Sequence, residues 1–268
     1  MPKPDAQAIT DDAYWDEHWD RYAEATRLNP GQRYRRKLIC QMLGFSATIL
    51  TASHIRASNS NATILDAGCG AGDLLEVIAA EFPKAQLGGI DQSASGLSVT
   101  QKLLPNAQLQ KVNLVDASVD PGALENWASH MVCSEVLEHI ESPVPVLKNL
   151  YKFLKPGGAL IVTVPGGPKS AFDKSIGHFR HYTQDRLRQD LEAAGYTVEL
   201  ATGSGFPVFN LYRLVILMRG EKLNQDIDGK PSLLARFVMA VFRGFIGCSL
   251  FKSPWGWQIV AIARKENA

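Results

Sequence analysis

A chain of 268 residues with 46% hydrophobic side chains is long enough for one large domain, or one domain with an elaboration, around a substantial core. Its 28 basic and 27 acidic residues nearly balance, so no nucleic-acid or membrane footprint follows from the net charge, and no basic stripe is visible along the chain. Four isolated cysteines (40, 69, 133 and 248, with no CxxC pair) fit a reducing cytoplasm better than a disulfide framework, and Met1-Pro2-Lys3-Pro4-Asp5 lacks the apolar core of a signal peptide.

Residues 1–58 read as an N-terminal helical region rich in aromatic and charged side chains. Tyr14, Trp15, Trp19 and Tyr22 come first, and Tyr34-Arg35-Arg36-Lys37 then leads into Leu38-Ile39-Cys40. A tyrosine hydroxyl or a guanidinium suits a carboxylate, so Tyr34 and Arg35 are candidates to close over a bound ligand. The alternative is a solvated basic face whose aromatics pack on the rest of the domain.

Residues 62–72 carry the most specific pattern. Ile64 and Leu65 end in Asp66, glycines follow at 68, 70 and 72, and Asp73-Leu74-Leu75-Glu76-Val77-Ile78 continues at helical spacing. This is a strand, a tight glycine turn and a helix, and such a turn brings backbone close to a nucleoside-bearing cofactor. A dinucleotide fold wants a third glycine where Asp73 stands and a helix N-terminus open to a pyrophosphate. Carboxylates at Asp66 and Asp73 repel phosphates and suit a cation. S-adenosylmethionine, with a sulfonium, an ammonium and one carboxylate, is such a ligand. Gly68 and Gly70 let its methionyl part lie against the backbone, Cys69 supplies an amide there, and Asp66 orients the turn and neutralises the ammonium. A second strand, Leu87-Gly88-Gly89-Ile90-Asp91, ends in an acid placed to accept both ribose hydroxyls, with Gln92 beside the adenine.

Further along, Leu109-Gln110-Lys111-Val112 reads as a third strand and Met131-Val132-Cys133 as a fourth, running into Ser134-Glu135-Val136-Leu137-Glu138-His139. Leu154-Lys155-Pro156-Gly157-Gly158 reads as a helix end and turn before a fifth strand, Ala159–Pro165. A helix over Gln184–Ala194, with Thr183 as its N-cap, stops at Gly195 before a sixth strand. The order and spacing of these blocks closely resemble the class I S-adenosylmethionine-dependent methyltransferases across roughly residues 60–203, with Trp257–Lys265 fitting the last strand. The resemblance implies an α/β, Rossmann-like, seven-stranded and mostly parallel sheet with helices on both faces and its final strand antiparallel. An N-terminal helical lid would occupy 1–58 and a helical cap would be inserted before the last strand of a domain spanning 59–268. It also places Asn113-Leu114 at the adenine edge, where an acid is more frequent, and has Ser134 and Glu135 face the methionyl group.

A methyl on a sulfonium is already activated, so transfer is an in-line displacement. An oxygen acceptor also needs a base, usually histidine. His178 and His181, in Gly177-His178-Phe179-Arg180-His181-Tyr182-Thr183, are candidates, and His139 is a third. Glu135, Glu138 and His139 further resemble the metal-binding array of ubiquinone-pathway O-methyltransferases, and of small-RNA 3′-terminal 2′-O-methyltransferases, with His178 as a fourth ligand. The same Glu-Val-Leu-Glu-His run is widespread in methyltransferases without a metal, and the expectation is that no metal is bound.

Residues 204–252 interrupt the strand–helix alternation. An apolar helix through Leu211, Leu214 and Met218 is followed by a polar loop at 219–231. A nearly apolar stretch, Leu233–Phe251, then has Arg236 and Arg243 on one helical face. Two mid-helix arginines argue against a spanning helix. A substrate cap, a dimer surface and a peripheral membrane contact through 233–251 remain, with the cap favoured and Phe206, Phe209, Tyr212 and Trp255 as its walls. The expected function is methylation of a small, largely apolar molecule, first at oxygen and next at nitrogen or carbon, with no nucleic-acid partner and no indication of oligomeric state. A non-catalytic cofactor-binding subunit and a nicotinamide-dependent oxidoreductase are the readings from other classes.

Overall fold

The computed structural model describes residues 29–50, 62–219 and 233–267, the side chains of 45–50 and 233–236 excepted. The expectations for Tyr14, Trp15, Trp19 and Tyr22, for the loop beyond Arg219 and for the side chain of Arg236 lie outside the described residues.

In chain order, helix α1 (Pro30–Leu50) precedes β1 (Thr63–Ala67), α2 (Asp73–Glu81), β2 (Gln86–Asp91), α3 (Ala94–Leu103), β3 (Gln108–Lys111) and β4 (Ala128–Ser134). Then come α4 (Pro143–Phe153), β5 (Leu154–Pro165), the short α5 (Ala171–Ser175), α6 (Gln184–Ala193), β6 (Tyr196–Ser204), α7 (Val208–Arg219), α8 (Leu233–Phe245) and β7 (Gln258–Lys265). The seven strands form one sheet in the order β3-β2-β1-β4-β5-β7-β6. All pairs from β3 to β5 are parallel, and β7 runs antiparallel to both its neighbours, β5 and β6. Strand order reverses between β1 and β4, so a crevice opens at their carboxyl ends, where α/β sheets bind ligands.

Side chains alternate across the sheet and feed two cores. Leu65, Met131 and Leu160 face α4 and α6, against Leu150, Phe153, Leu187 and Leu191. Ile64, Val132, Ile161, Val260 and Ile262 face the opposite layer, where α1 supplies Tyr34, Leu38, Ile39, Met42 and Leu43. Each of those fully buried aliphatic side chains contributes roughly 1.5–3 kcal/mol. Helix α1 is therefore a wall of the sheet, and only its first turns reach the rim of the crevice.

One element differs from its sequence pattern. β5 begins at Leu154, ahead of the Pro156-Gly157-Gly158 turn signal, because Leu154 pairs with Ala128 before the register shifts to His130↔Ala159. Gly157, at φ 73, absorbs the irregularity. Thr183 caps α6 as expected, accepting from the Arg186 N–H at 3.2 Å.

Candidate active site

The glycine turn leaves β1 at the sheet's reversal point. Gly68 has φ 79, and a Cβ added there would lie 2.5 Å from a Val136 methyl, so the position admits only glycine. The N–H groups of Gly68 and Cys69 both donate to the Ile90 carbonyl, at 2.8 and 3.2 Å. This corrects one expectation: the Cys69 amide serves the β1–β2 junction rather than a ligand. Asp91 holds the turn shut from the other side, accepting from Gly70 N–H on Oδ2 and from Ser93 N–H on Oδ1, both at 2.8 Å.

Asp66 is buried at the end of β1, and burial, followed by the charge of Asp91, pushes its carboxyl up to about 7. Its carboxyl in the unfolded chain titrates near 3.9, so between about pH 4 and 7 the unfolded state has lost a proton that the folded state keeps. Stability accordingly falls as pH rises through that window and levels off above it. Asp66→Asn is expected to shrink the stability difference between pH 5 and pH 8 by about 3 kcal/mol in denaturant titrations. An unchanged difference would mean that Asp66 is ionised throughout.

At the end of β4, Ser134 shares a 2.8 Å hydrogen bond with the Thr163 hydroxyl. The next residue, Glu135, takes a left-handed backbone (φ 57) that side-chain-bearing residues avoid at a cost of about 1–2 kcal/mol. That conformation aims its carboxylate along the rim. There it meets Arg35 Nη1 at 3.0 Å and Gln258 Nε2 at 2.9 Å. Arg36 reaches Asp73, the first residue of α2, at 3.5 Å, so two arginines of α1 meet acids on the rim. Tyr34 does not join them. Its hydroxyl bonds Ser204 at 2.6 Å and its ring lies 5.1 Å from that of Phe209, because the residue sits on the core face of α1 with Leu38 and Met42. Tyr34, expected at the rim, is instead packed in the core. Phe209 and Tyr212 are likewise buried against α1, leaving Phe206 and Trp255 of the expected cap walls at the surface, their rings 5.5 Å apart.

Asn113 and Leu114 follow β3 beside the end of β2, joined to it by Val112 N–H donating to the Asp91 carbonyl at 2.9 Å. The Asn113 side chain accepts from Val115 N–H at 3.3 Å, and Leu114 holds Asn149 through its carbonyl. Gln92 is half-buried next to Asp91.

The three histidines converge on one patch of the rim. His139 and His178 rings meet edge to face at 4.7 Å, and those of His178 and His181 are 5.6 Å apart. His181 Nδ1 lies 2.9 Å from the Gly167 carbonyl, a pure acceptor, so Nδ1 carries the hydrogen. His181 Nε2 then accepts from His178 Nδ1 at 3.4 Å, which leaves His178 Nε2 as the open lone pair. Asp173 lies beside both rings, 3.6 Å from His181 Nε2 and 3.9 Å from His178 Nδ1, too far for a hydrogen bond but close enough to favour positive charge on them. Burial works against its charge, but the Arg213 guanidinium and bonds from Ser170 outweigh that and hold its carboxyl down at about 2. Burial, and next the adjacent His139, lower His178 to about 2, and burial lowers His181 as well, so both are neutral near pH 7.

Glu138 lies behind His139 with its side chain wholly buried and, among the described residues, no hydrogen-bond partner for either carboxylate oxygen. Burial, then the charge of Glu135, raise its carboxyl well above the usual range. Ligand atoms of Glu138, His139 and His178 lie within 4.8 Å of one another, as do those of Asp173, His178 and His181. A buried carboxyl beside two imidazoles fits a divalent first-row cation, which the expected absence of a metal does not anticipate. Glu135, expected in that ligand set, is turned to Arg35 instead. An unsatisfied buried group costs about 1–3 kcal/mol, so Glu138→Leu should stabilise the metal-free protein by that amount in thermal unfolding while lowering its affinity for divalent ions. Destabilisation would show that Glu138 has a partner in solution.

Residues 32–201 match the model of a family described as a methyltransferase domain. The chain belongs to that family. This methyltransferase is 31% identical over 182 residues to a ubiquinone biosynthesis O-methyltransferase of Pseudomonas putida, covering 65% of the chain and 77% of the relative. It is 28% identical to the mitochondrial ubiquinone biosynthesis O-methyltransferase of Dictyostelium discoideum, covering 51% of the chain but only 44% of the relative's length. In fold it is similar to a TehB-like S-adenosylmethionine-dependent methyltransferase from Corynebacterium glutamicum, with a TM-score of 0.51 at 17% identity over 95% of this chain and 98% of that one. Three residues that the sequence pattern did not single out complete the methyltransferase's rim: Gln258, Asp173 and Arg213. Of these only Asp173 left a local signal, the Ser170-x-x-Asp173 capping box that starts α5.

Proposed function

We propose that this methyltransferase transfers the methyl group of S-adenosylmethionine to an oxygen of a small, largely apolar molecule. The observation that carries the oxygen reading is the neutral histidine chain Gly167–His181–His178, anchored on Asp173 at the rim next to Glu135. The relatives' own names, O-methyltransferases, support the same acceptor.

Asp91 would accept the ribose hydroxyls while keeping its hold on Gly70 and Ser93. The Arg35–Glu135 pair, 3.0 Å apart, is charge-complementary to the zwitterionic end of an α-amino acid: the guanidinium suits the carboxylate and Glu135 the ammonium. Asp66 adds a second acid beneath the turn. The acceptor oxygen attacks the methyl carbon in line as the carbon–sulfur bond breaks, and the sulfonium leaves as a neutral thioether. His178 Nε2 takes the hydroxyl proton. His181 holds the tautomer, and Asp173 offsets the positive charge that develops on the imidazoles. Glu138, His139 and His178 would hold a divalent cation, which when bound would lower the pKa of an acceptor hydroxyl and orient it, His178 Nε2 then serving as a ligand in place of its role as base.

The deciding experiment incubates the protein with labelled S-adenosylmethionine and an extract of small metabolites. A product about 14 daltons heavier, bearing a methyl ether or ester, is expected. Tight cofactor binding without any methylated product favours the non-catalytic subunit instead, and a methylamine product moves the acceptor to nitrogen.

A further inference from the structure

The loop after β3 has neither helix nor strand between Val112 and Pro121, yet it borders the cofactor crevice. Val112 N–H joins it to β2 through the carbonyl of Asp91, the acid whose side chain closes the glycine turn. Within the loop, Asp116 N–H donates to the Asn113 carbonyl at 3.2 Å and Val115 N–H to the Asn113 side chain at 3.3 Å. Those two bonds close a turn upon itself. Such a turn opens locally at low cost unless a group outside it fixes its place.

That group comes from α4. Asn149 is only 6% exposed and is buried together with Val146, Leu150 and Phe153 of the same helix. Its side-chain nitrogen donates to two loop carbonyls, Leu114 at 3.0 Å and Asp116 at 2.9 Å. A polar side chain among apolar neighbours gives up water and must recover those bonds inside the protein. Here both hydrogens of the amide are engaged on one loop, at carbonyls two residues apart. Lys152 adds a second tie farther along, its Nζ donating to the Val119 carbonyl at 3.0 Å.

We infer that Asn149 is a positioning residue for the base of the cofactor: it sets where Asn113 and Leu114 stand against the adenine edge, and so how strictly that base is read. The inference rests on the cofactor reading proposed above. Asn149 acts through the loop backbone, since its amide hydrogens are engaged on the two carbonyls. An edge held in place discriminates, because a wrong base leaves a hydrogen-bonding group unpaired. An edge free to shift pairs again with the wrong base and discriminates less.

The test compares, by calorimetry on the full chain, binding of S-adenosylhomocysteine and of S-inosylhomocysteine, in which an oxo group replaces the adenine amino group. The parent protein is expected to prefer the adenine form at least tenfold. Asn149→Asp keeps the size of the side chain but puts a carboxylate, which only accepts, against two carbonyls. It should cut the preference to threefold or less by weakening the adenine form, with the inosine form changed less than twofold. Asn149→Ser gives the same reading with a small neutral side chain should the aspartate variant fail to fold. Lys152→Met, which frees the same loop at Val119, should keep the parent's preference. A parent that binds neither ligand overturns the cofactor reading and the inference with it. A parent that binds both alike, or Asn149 variants that discriminate as well as the parent, overturns the inference alone. So does a loss of preference in Lys152→Met as large as that in Asn149→Asp, which would reduce the effect to general loosening.

Discussion

Replacing His178 with alanine should slow methyl transfer to a hydroxyl acceptor by about 100-fold or more, the lower range for loss of a general base, equivalent to roughly 2.7 kcal/mol. The affinity for S-adenosylhomocysteine should stay within twofold, because His178 reaches the crevice from the α5–α6 loop and contacts none of the residues that hold the turn at Gly68–Gly72. The loop itself is secured independently of the imidazole, by Phe179 N–H on the Glu138 carbonyl and Tyr182 N–H on the Pro165 carbonyl, both at 2.8 Å. His181→Ala should slow the reaction less, since His178 retains its lone pair and loses only the neighbour that holds its tautomer. Single-turnover rates with saturating acceptor separate the two. Equal rates for His178→Ala and the parent protein would remove the histidine chain from the chemistry.

Asp91→Ala should weaken binding of S-adenosylhomocysteine by at least about 100-fold, near 2.7 kcal/mol, because two kinds of interaction vanish together. The ribose loses a charged acceptor, and the Gly70 and Ser93 amides lose the partner that holds the turn in its binding shape. Asp91→Asn should not rescue the site. The two amides bind different oxygens of the carboxylate, and an asparagine has only one oxygen to offer, so one N–H would face an NH2 group. Calorimetry that finds both variants within twofold of the parent would take Asp91 out of the cofactor site and dissolve the reading of the crevice.

The residues that were legible in the sequence are those whose chemistry is local. Gly68 is recognisable because a strand that turns into a helix within a few residues needs positive φ, and Asp91 because an acid at the end of the next strand has few other uses. Tyr34 misled because its polar hydroxyl and its place beside Arg35 and Arg36 suggested the rim. Yet Tyr34, Leu38 and Met42 recur at one-turn spacing and describe the apolar face of α1, and that spacing decides its burial. Phe209 and Tyr212 misled for the same reason. The Arg213–Asp173 pair was not legible, since its partners lie on α7 and α5 with α6 and β6 between them, and no periodicity links those two helices.

The amino-acid sequence by itself determined the strand–turn–helix units, the glycines of the turn after β1, the acid that ends β2 and the family, because each depends on backbone geometry within a few residues. The tertiary structure decided where the long-range partners meet. It set β7 antiparallel between β5 and β6, turned Glu135 onto Arg35 and Gln258, gathered His178 and His181 at Asp173 with His139 against His178, and buried Glu138 without a partner among the described residues. Such contacts follow from which faces must pack to remove apolar surface from water, and that choice is made only when the whole sheet has its helices in place.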